Sequence, residues 1–112
     1  MQYAMMIYAE PGYAEALPEA EREAVRADFS ALADDTRCVA AVQLQPAETA
    51  TCVRVAGART LMTDGPFADT KEVLSGFALI EAANLDEAIE MAARIPAARF
   101  GGAVEVRPVV AR

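Results

Sequence analysis

Five side chains in this 112-residue sequence have types and positions that suit work on a small molecule: Tyr8, Asp64, Phe67, Lys71 and Arg107. Three of them fall within the stretch DGPFADTK. An aspartate in a turn ordinarily accepts from the backbone N–H two residues on, but Pro66 has none to give. The Asp64 carboxylate must therefore turn to Phe67 or Ala68 N–H, to an arginine, or to a ligand. The expectation is that it mainly fixes its loop and only secondarily touches ligand. Gly65 must also satisfy the restriction that a following proline imposes. The motif reads either as a loop lock or as the rim of a ligand cleft, since loops often carry function. Phe67 can plug such a loop into a core or a subunit seam. Lys71 is the sole lysine and lies among Asp69, Thr70 and Glu72. Acidic neighbours keep an ammonium charged, which suits anion binding or an ion pair better than amine nucleophilic catalysis.

Tyr3 and Tyr8 fall on opposite faces of one alternating segment, so one of them faces the open side of its sheet. Core packing with a satisfied hydroxyl is the competing reading. Arg107 alternates away from Val106 and either pairs near Glu105 or points inward.

The chain has no histidine. That removes Ser–His and Cys–His nucleophile pairs and the usual acid/base residue of neutral pH. Asp64 acting as a general base on an arginine-bound anion remains chemically available. Asp34-Asp35, Asp64/Asp69 and Glu87/Glu90 are scattered acids, so no metal site is expected. No P-loop, GxGxxG or GxSxG is present, and no cofactor is expected. Cys38 and Cys52 form no CxxC and read as small buried hydrophobes, with a disulfide or redox role left open.

Ten basic residues stand against 17 acids, a net charge of −7. Direct nucleic-acid binding is disfavoured, because neutralising phosphates needs clustered cations. Residues 1–36 hold eight acids and two arginines, which marks either a solvated helix face or a dock for a basic partner. No apolar run approaches the roughly 20 residues of a membrane span, and no basic region precedes a leader-like segment. A cytoplasmic protein of one domain, residues 1–112, is expected. At 54% hydrophobic the chain can build a core.

These residues need elements to hold them. Gln2–Ala9 alternates with both faces mostly apolar, the pattern of a strand covered on both sides. Glu10-Pro11-Gly12 ends it, and Pro18 suits the first position of a helix carrying Glu19 and Glu21 in its first turn. Val25, Phe29 and Leu32 form the apolar stripe of that helix, which should end near Thr36. Val39–Gln45 reads as a strand stopped by Pro46. Thr51–Ala56 and Arg59–Thr63 flank Gly57-Ala58 as a hairpin. Gly76–Ala83 reads as a central strand. Asn84 with Glu87 makes a capping box for a second helix, bounded by Pro96. Ala103–Val110 is the last strand.

The order is β-α-β-(β-β)-β-α-β. Without the hairpin it is βαββαβ, a ferredoxin-like α+β arrangement. Right-handed crossovers put both helices on one face of an antiparallel sheet. The other face is apolar too, and too large to leave in water. A homodimer that buries it is the expected remedy.

The run DGPFADTKEVLSGFALIEAANLDEAIEMAARIPAARFGGAVEVRP, residues 64–108, resembles the signature half of the DGPF proteins, a branch of the YCII-related family. The opening QYAMMIYAEP and the stretch TCVRVAGARTLMTDGPF fit as well, so the resemblance covers nearly the whole chain. It implies a ferredoxin-like fold paired into a dimeric α/β barrel. Most such proteins have no established role. Bacterial members often accompany extracytoplasmic-function sigma factors, which implies an accessory or signalling role. Other YCII-like proteins are read as enzymes with a His–Asp pair in the cleft, and some relatives act on chlorinated aromatic metabolites. This chain has no histidine, so that pair cannot be carried over. The reading is a non-catalytic accessory or small-ligand-binding homodimer. The alternative is a small-molecule enzyme with a carboxylate/arginine cleft.

Overall fold

A computed structural model describes residues 1–111. Strand β1 (Gln2–Ala9) leads through turns to helix α1 (Glu19–Asp34) and strand β2 (Cys38–Gln43). The hairpin β3 (Thr51–Ala56) and β4 (Arg59–Asp64) follows. Strand β5 (Val73–Glu81), helix α2 (Leu85–Ala93) and strand β6 (Ala103–Pro108) complete the chain. The main sheet has the order β2-β5-β1-β6, with every pairing antiparallel. This is the ferredoxin-like α+β fold, and β3–β4 forms a separate two-stranded sheet.

Alternation in β1 decides which residues enter the core. Tyr3, Met5, Ile7 and Ala9 are buried beside Ala78 and Ile80 of β5. Leu32 of α1 and Ala88, Met91 and Ala92 of α2 cover them. Each buried side chain loses water contact, the main favourable contribution to folding. Ala4, Met6 and Tyr8 face the other way. Across the ladder they meet Leu79, Phe77 and Leu74 of β5, and Val42 of β2 lies opposite Phe77. Among the described residues no helix covers this second face, and Val42, Leu74 and Phe77 are exposed on it.

Helix α1 starts one residue later than expected: Pro18 is its N-cap and Glu19 its first turn. Arg22 pairs with Glu19 and Arg26 with Glu23 along the outer face. Helix α2 begins as its sequence indicates, with Asn84 Oδ1 accepting from Glu87 N–H at 2.9 Å. Glu87 does not complete the box. Its carboxylate instead takes Arg37 Nη1 at 3.2 Å.

Arg37 ties two corners of the fold together. Asp35 accepts from its Nη2 at 2.7 Å, its backbone N–H at 2.8 Å and its Nε at 3.0 Å. These bonds, the guanidinium ones first, hold the Asp35 carboxyl well below the usual carboxylate range. A group whose pKa is depressed by folding stabilises the fold fully above its unfolded value and stops doing so as pH falls through the folded one. Urea melts should therefore separate the parent from Asp35→Asn clearly at neutral pH. The two should converge as pH drops below about 4, the ordinary aspartate value. A constant gap across that range would show that the Asp35 charge contributes nothing.

Candidate functional site

The site is built where the chain leaves β2 and returns to β5. Leu44 N–H donates to Ser75 O at 2.9 Å, so the exit runs alongside the start of β5. Pro46 opens a short 3₁₀ turn, Ala47–Thr49, closed by Thr49 Oγ1 on Pro46 O at 2.7 Å. After the hairpin, Gly65 N–H donates to Ala50 O at 2.7 Å and closes its root. Gly65 has φ +96°, a left-handed conformation that suits glycine. Cys52 Sγ donates to Gly65 O at 3.2 Å.

Strand β5 starts three residues earlier than its pattern suggests, because the ladder with β1 continues past an irregularity. Ile7 pairs with Gly76, but Tyr8 pairs with Leu74. Ser75 is the extra residue of a β-bulge, and its hydroxyl donates to Ile7 O at 3.2 Å. Bulges re-aim side chains next to functional sites. Here the bulge places Leu74, rather than the polar Ser75, opposite Tyr8.

The result is a cavity of about 840 Å³ between the sheet end and the returning loop. Tyr8, Leu44, Pro46, Phe67, Lys71 and Leu74 are among its walls. The size lies within the range of small-molecule pockets. The walls are mostly apolar, with Gln45, Thr49, Thr70 and Lys71 among the polar groups.

Three of the five residues singled out in the sequence come together here. Tyr8, and not Tyr3, faces the open side. Phe67 is 79% exposed, so it does not plug its own core. Its ring lies 5.2 Å from the Arg54 guanidinium, a cation–π contact that reaches across from the hairpin. Among the described residues no carboxylate lies within ion-pair distance of the Lys71 ammonium. The cavity also takes in Glu72, which the sequence marks only as a neighbour of the lysine.

Asp64 and Arg107 stay outside the wall. Asp64 is the last rung of the hairpin, opposite Thr51, and is exposed. Among the described residues its carboxylate makes no hydrogen bond. The expected loop lock is therefore not the Asp64 side chain. It is the backbone bond from Gly65, which needs no carboxylate. Arg107 lies on the edge strand β6 opposite Ala4, about four residues, or 13 Å, along the sheet from Tyr8. Glu105 of the same strand holds it at 3.0 Å.

Other hollows carry less chemistry. A groove of about 370 Å³ between the helices includes Arg94 and Arg99, but Arg99 is already paired with Asp28. Another, of about 430 Å³, lies behind the same connection and includes Tyr13 and Phe29. Among the described residues no three His, Cys, Asp or Glu residues cluster closely enough to hold a metal ion. Cys38 and Cys52 are free thiols, both partly buried, and desolvation pushes the Cys38 thiol up. No helix of the described residues is long and apolar enough to cross a membrane.

Comparison with known proteins agrees with this architecture. An uncharacterised protein of Rhizobium meliloti (strain 1021) is 36% identical over 114 residues, covering 97% of this chain and 92% of that protein. The solved structure of 5-chloro-2-hydroxyhydroquinone dehydrochlorinase from Burkholderia phenoliruptrix AC1100, in complex with 2,5-dihydroxybenzoquinone, has a similar fold. The TM-score is 0.57 at 17% identity, over 98% of this chain and 94% of that one. At that identity the likeness is one of fold. The YCII-related domain matches residues 1–111, and the chain belongs to the YCII-related family.

Proposed function

We propose that this chain is a cytoplasmic, homodimeric small-molecule-binding protein that takes a planar, weakly acidic aromatic or quinonoid ligand in the Tyr8 cavity, without turnover of its own. The observation that carries the reading is the convergence of Tyr8, Phe67 and Lys71 on one apolar cavity. The rings of Tyr8 and Phe67 offer flat contact, and Lys71 supplies a positive charge for an enolate or phenolate oxygen. The bare apolar sheet face supports the homodimer. An accessory role beside an extracytoplasmic-function sigma factor rests on the resemblance to DGPF proteins alone.

The dehydrochlorinase supports the ligand class, since its complex holds 2,5-dihydroxybenzoquinone. That relative is also an enzyme. In this chain a catalytic reading moves from Asp64 and Arg107 to Glu72, Lys71 and Tyr8, the groups that border the cavity.

Calorimetric titration with 2,5-dihydroxybenzoquinone tests both readings. Saturable binding is expected, weakened about tenfold or more by Lys71→Ala, the scale of a lost charge-assisted hydrogen bond. No binding, or binding that Lys71→Ala leaves unchanged, overturns the site. Consumption of the quinone or of a chlorinated hydroquinone by the parent protein replaces the binding reading with the enzyme reading.

A further inference from the structure

Alternation along β3 aims one of its faces at the loop that returns to β5. Cys52 and Arg54 fall on the same side of the strand, because successive side chains point to opposite faces. Cys52 Sγ reaches Gly65 O at 3.2 Å. Two residues further along each segment, the Arg54 guanidinium lies over the Phe67 ring, 5.2 Å from its centre. Val53 and Val55 face the other way. Phe67 borders the cavity and Arg54 does not. The guanidinium therefore covers the ring from outside the wall, and the ring's other face is left for a ligand.

Charge makes this contact more than packing. Arg22, Arg26, Arg37, Arg99 and Arg107 are each held by a carboxylate. Among the described residues no carboxylate lies within ion-pair distance of Arg54, and the Phe67 ring is what its charge meets. An aromatic face carries the negative part of the ring quadrupole, which attracts a cation. The guanidinium draws the π electrons toward itself and leaves the opposite face poorer in electrons. A face of that kind stacks better on an electron-rich, anionic ring than on a neutral one. Lys71 attracts the ionised oxygen of a ligand, and Arg54 acts on the ring against which that ligand lies.

We propose that Arg54 is a positioning and specificity-determining residue of the Tyr8 cavity, which acts through Phe67 to favour an anionic planar ligand over its neutral counterpart. The inference rests on the ligand-site reading and adds to it the residue that selects the ionised form. It also gives the hairpin a part in recognition, since Arg54 belongs to β3 and not to the cavity wall.

2,5-Dihydroxybenzoquinone and 2,5-dimethoxy-1,4-benzoquinone share a ring, but only the first has hydroxyls that ionise below neutral pH. The readout is the ratio of their affinities, from calorimetric titration at neutral pH and physiological salt, where longer-range charge effects are screened. Arg54→Gln should lower the preference for the dihydroxy compound about two- to fivefold, the scale of an exposed cation–π contact. Arg54→Lys should keep most of that preference. Both Arg54 and Phe67 are exposed, so the variants should fold with unchanged circular dichroism spectra. In a Phe67→Leu background, Arg54→Gln should have no further effect on the dihydroxy compound. This cycle needs only that compound, so it decides the proposal where the dimethoxy quinone binds too weakly to measure. A ratio that Arg54→Gln leaves unmoved, because both ligands weaken alike or neither does, overturns the selectivity. The full Arg54→Gln effect in the Phe67→Leu background overturns its action through the ring. In both cases Lys71→Ala still weakens binding and the ligand site stands. A parent that binds neither quinone overturns the site and the inference together.

Discussion

Met5→Ala should lower unfolding free energy by about 3–5 kcal/mol, the upper part of the range for truncating a large core residue to alanine. Met5 is fully buried in β1, and with Ile80 it is one of the two largest fully buried side chains. It lies between Ala78 of β5 and Val106 of β6. The cost of a truncation depends on how well the surroundings collapse into the void. Much of this core is alanine, at positions 78, 82, 88, 92 and 97, and short side chains cannot swing over to refill the space. For a small domain whose whole stability is about 5–15 kcal/mol, the loss is a large fraction. Met5→Leu keeps the volume and should cost less than about 1.5 kcal/mol. The neighbouring Met6 points to the open face, so Met6→Ala should change the stability of the single chain much less. Urea denaturation of the three variants, at protein concentrations low enough to keep the chains single, checks this. A Met5→Ala loss as small as that of Met5→Leu would overturn it.

That contrast shows how much of the fold was legible in advance. The bounds of β1 and β3, the hairpin turn, the Asn84 cap and the two faces of β1 all follow from local periodicity and turn chemistry. Those are properties of neighbouring residues, so a single sequence carries them. The apolar character of both sheet faces was equally readable, and the bare side of β1 and β5 follows from right-handed crossovers that put both helices on one face. The start of β5 was not readable. Val73 and Leu74 join the sheet because β1 extends opposite them, and the bulge at Ser75 is visible only when both strands are in register. The site shares this limit. Tyr8, Phe67 and Lys71 stand out in the sequence by their chemistry, and the fold does bring them together. Asp64 stands out as an aspartate before Gly-Pro. Its direction, however, is set by the twist and reach of the hairpin, which local sequence does not encode. Glu72 does not stand out, because an acid beside a lysine looks like its ion-pair partner. The loop instead runs both residues along the cavity wall.

Gly102→Ala should disrupt both the fold and the cavity, and the reason is a close approach of backbones at the entry to β6. Gly102 N–H donates to Ala97 O at 2.9 Å, which brings the chain tightly past the end of β1. A Cβ at Gly102 would collide with Tyr8 O and sit 2.9 Å from Ala97 O and 3.3 Å from Ala9 Cα. All three are backbone atoms, so no side chain can rotate away and β1 itself must move. Forced overpacking of this kind costs about 1–3 kcal/mol and sometimes more. The residue displaced is Tyr8, which pairs with Ala103 on this side and Leu74 on the other. Its ring is a wall of the cavity, so quinone binding should fall along with stability. The adjacent Gly101 provides the control. It has φ +84° with open space where a Cβ would go, so Gly101→Ala should cost only the left-handed penalty of about 1–2 kcal/mol. With Tyr8 undisturbed, binding by the folded Gly101 variant should match the parent. Thermal melts with and without 2,5-dihydroxybenzoquinone distinguish the two variants. A Gly102→Ala protein that keeps its melting point and its ligand-induced shift would show that β1 and β6 do not approach this closely in solution.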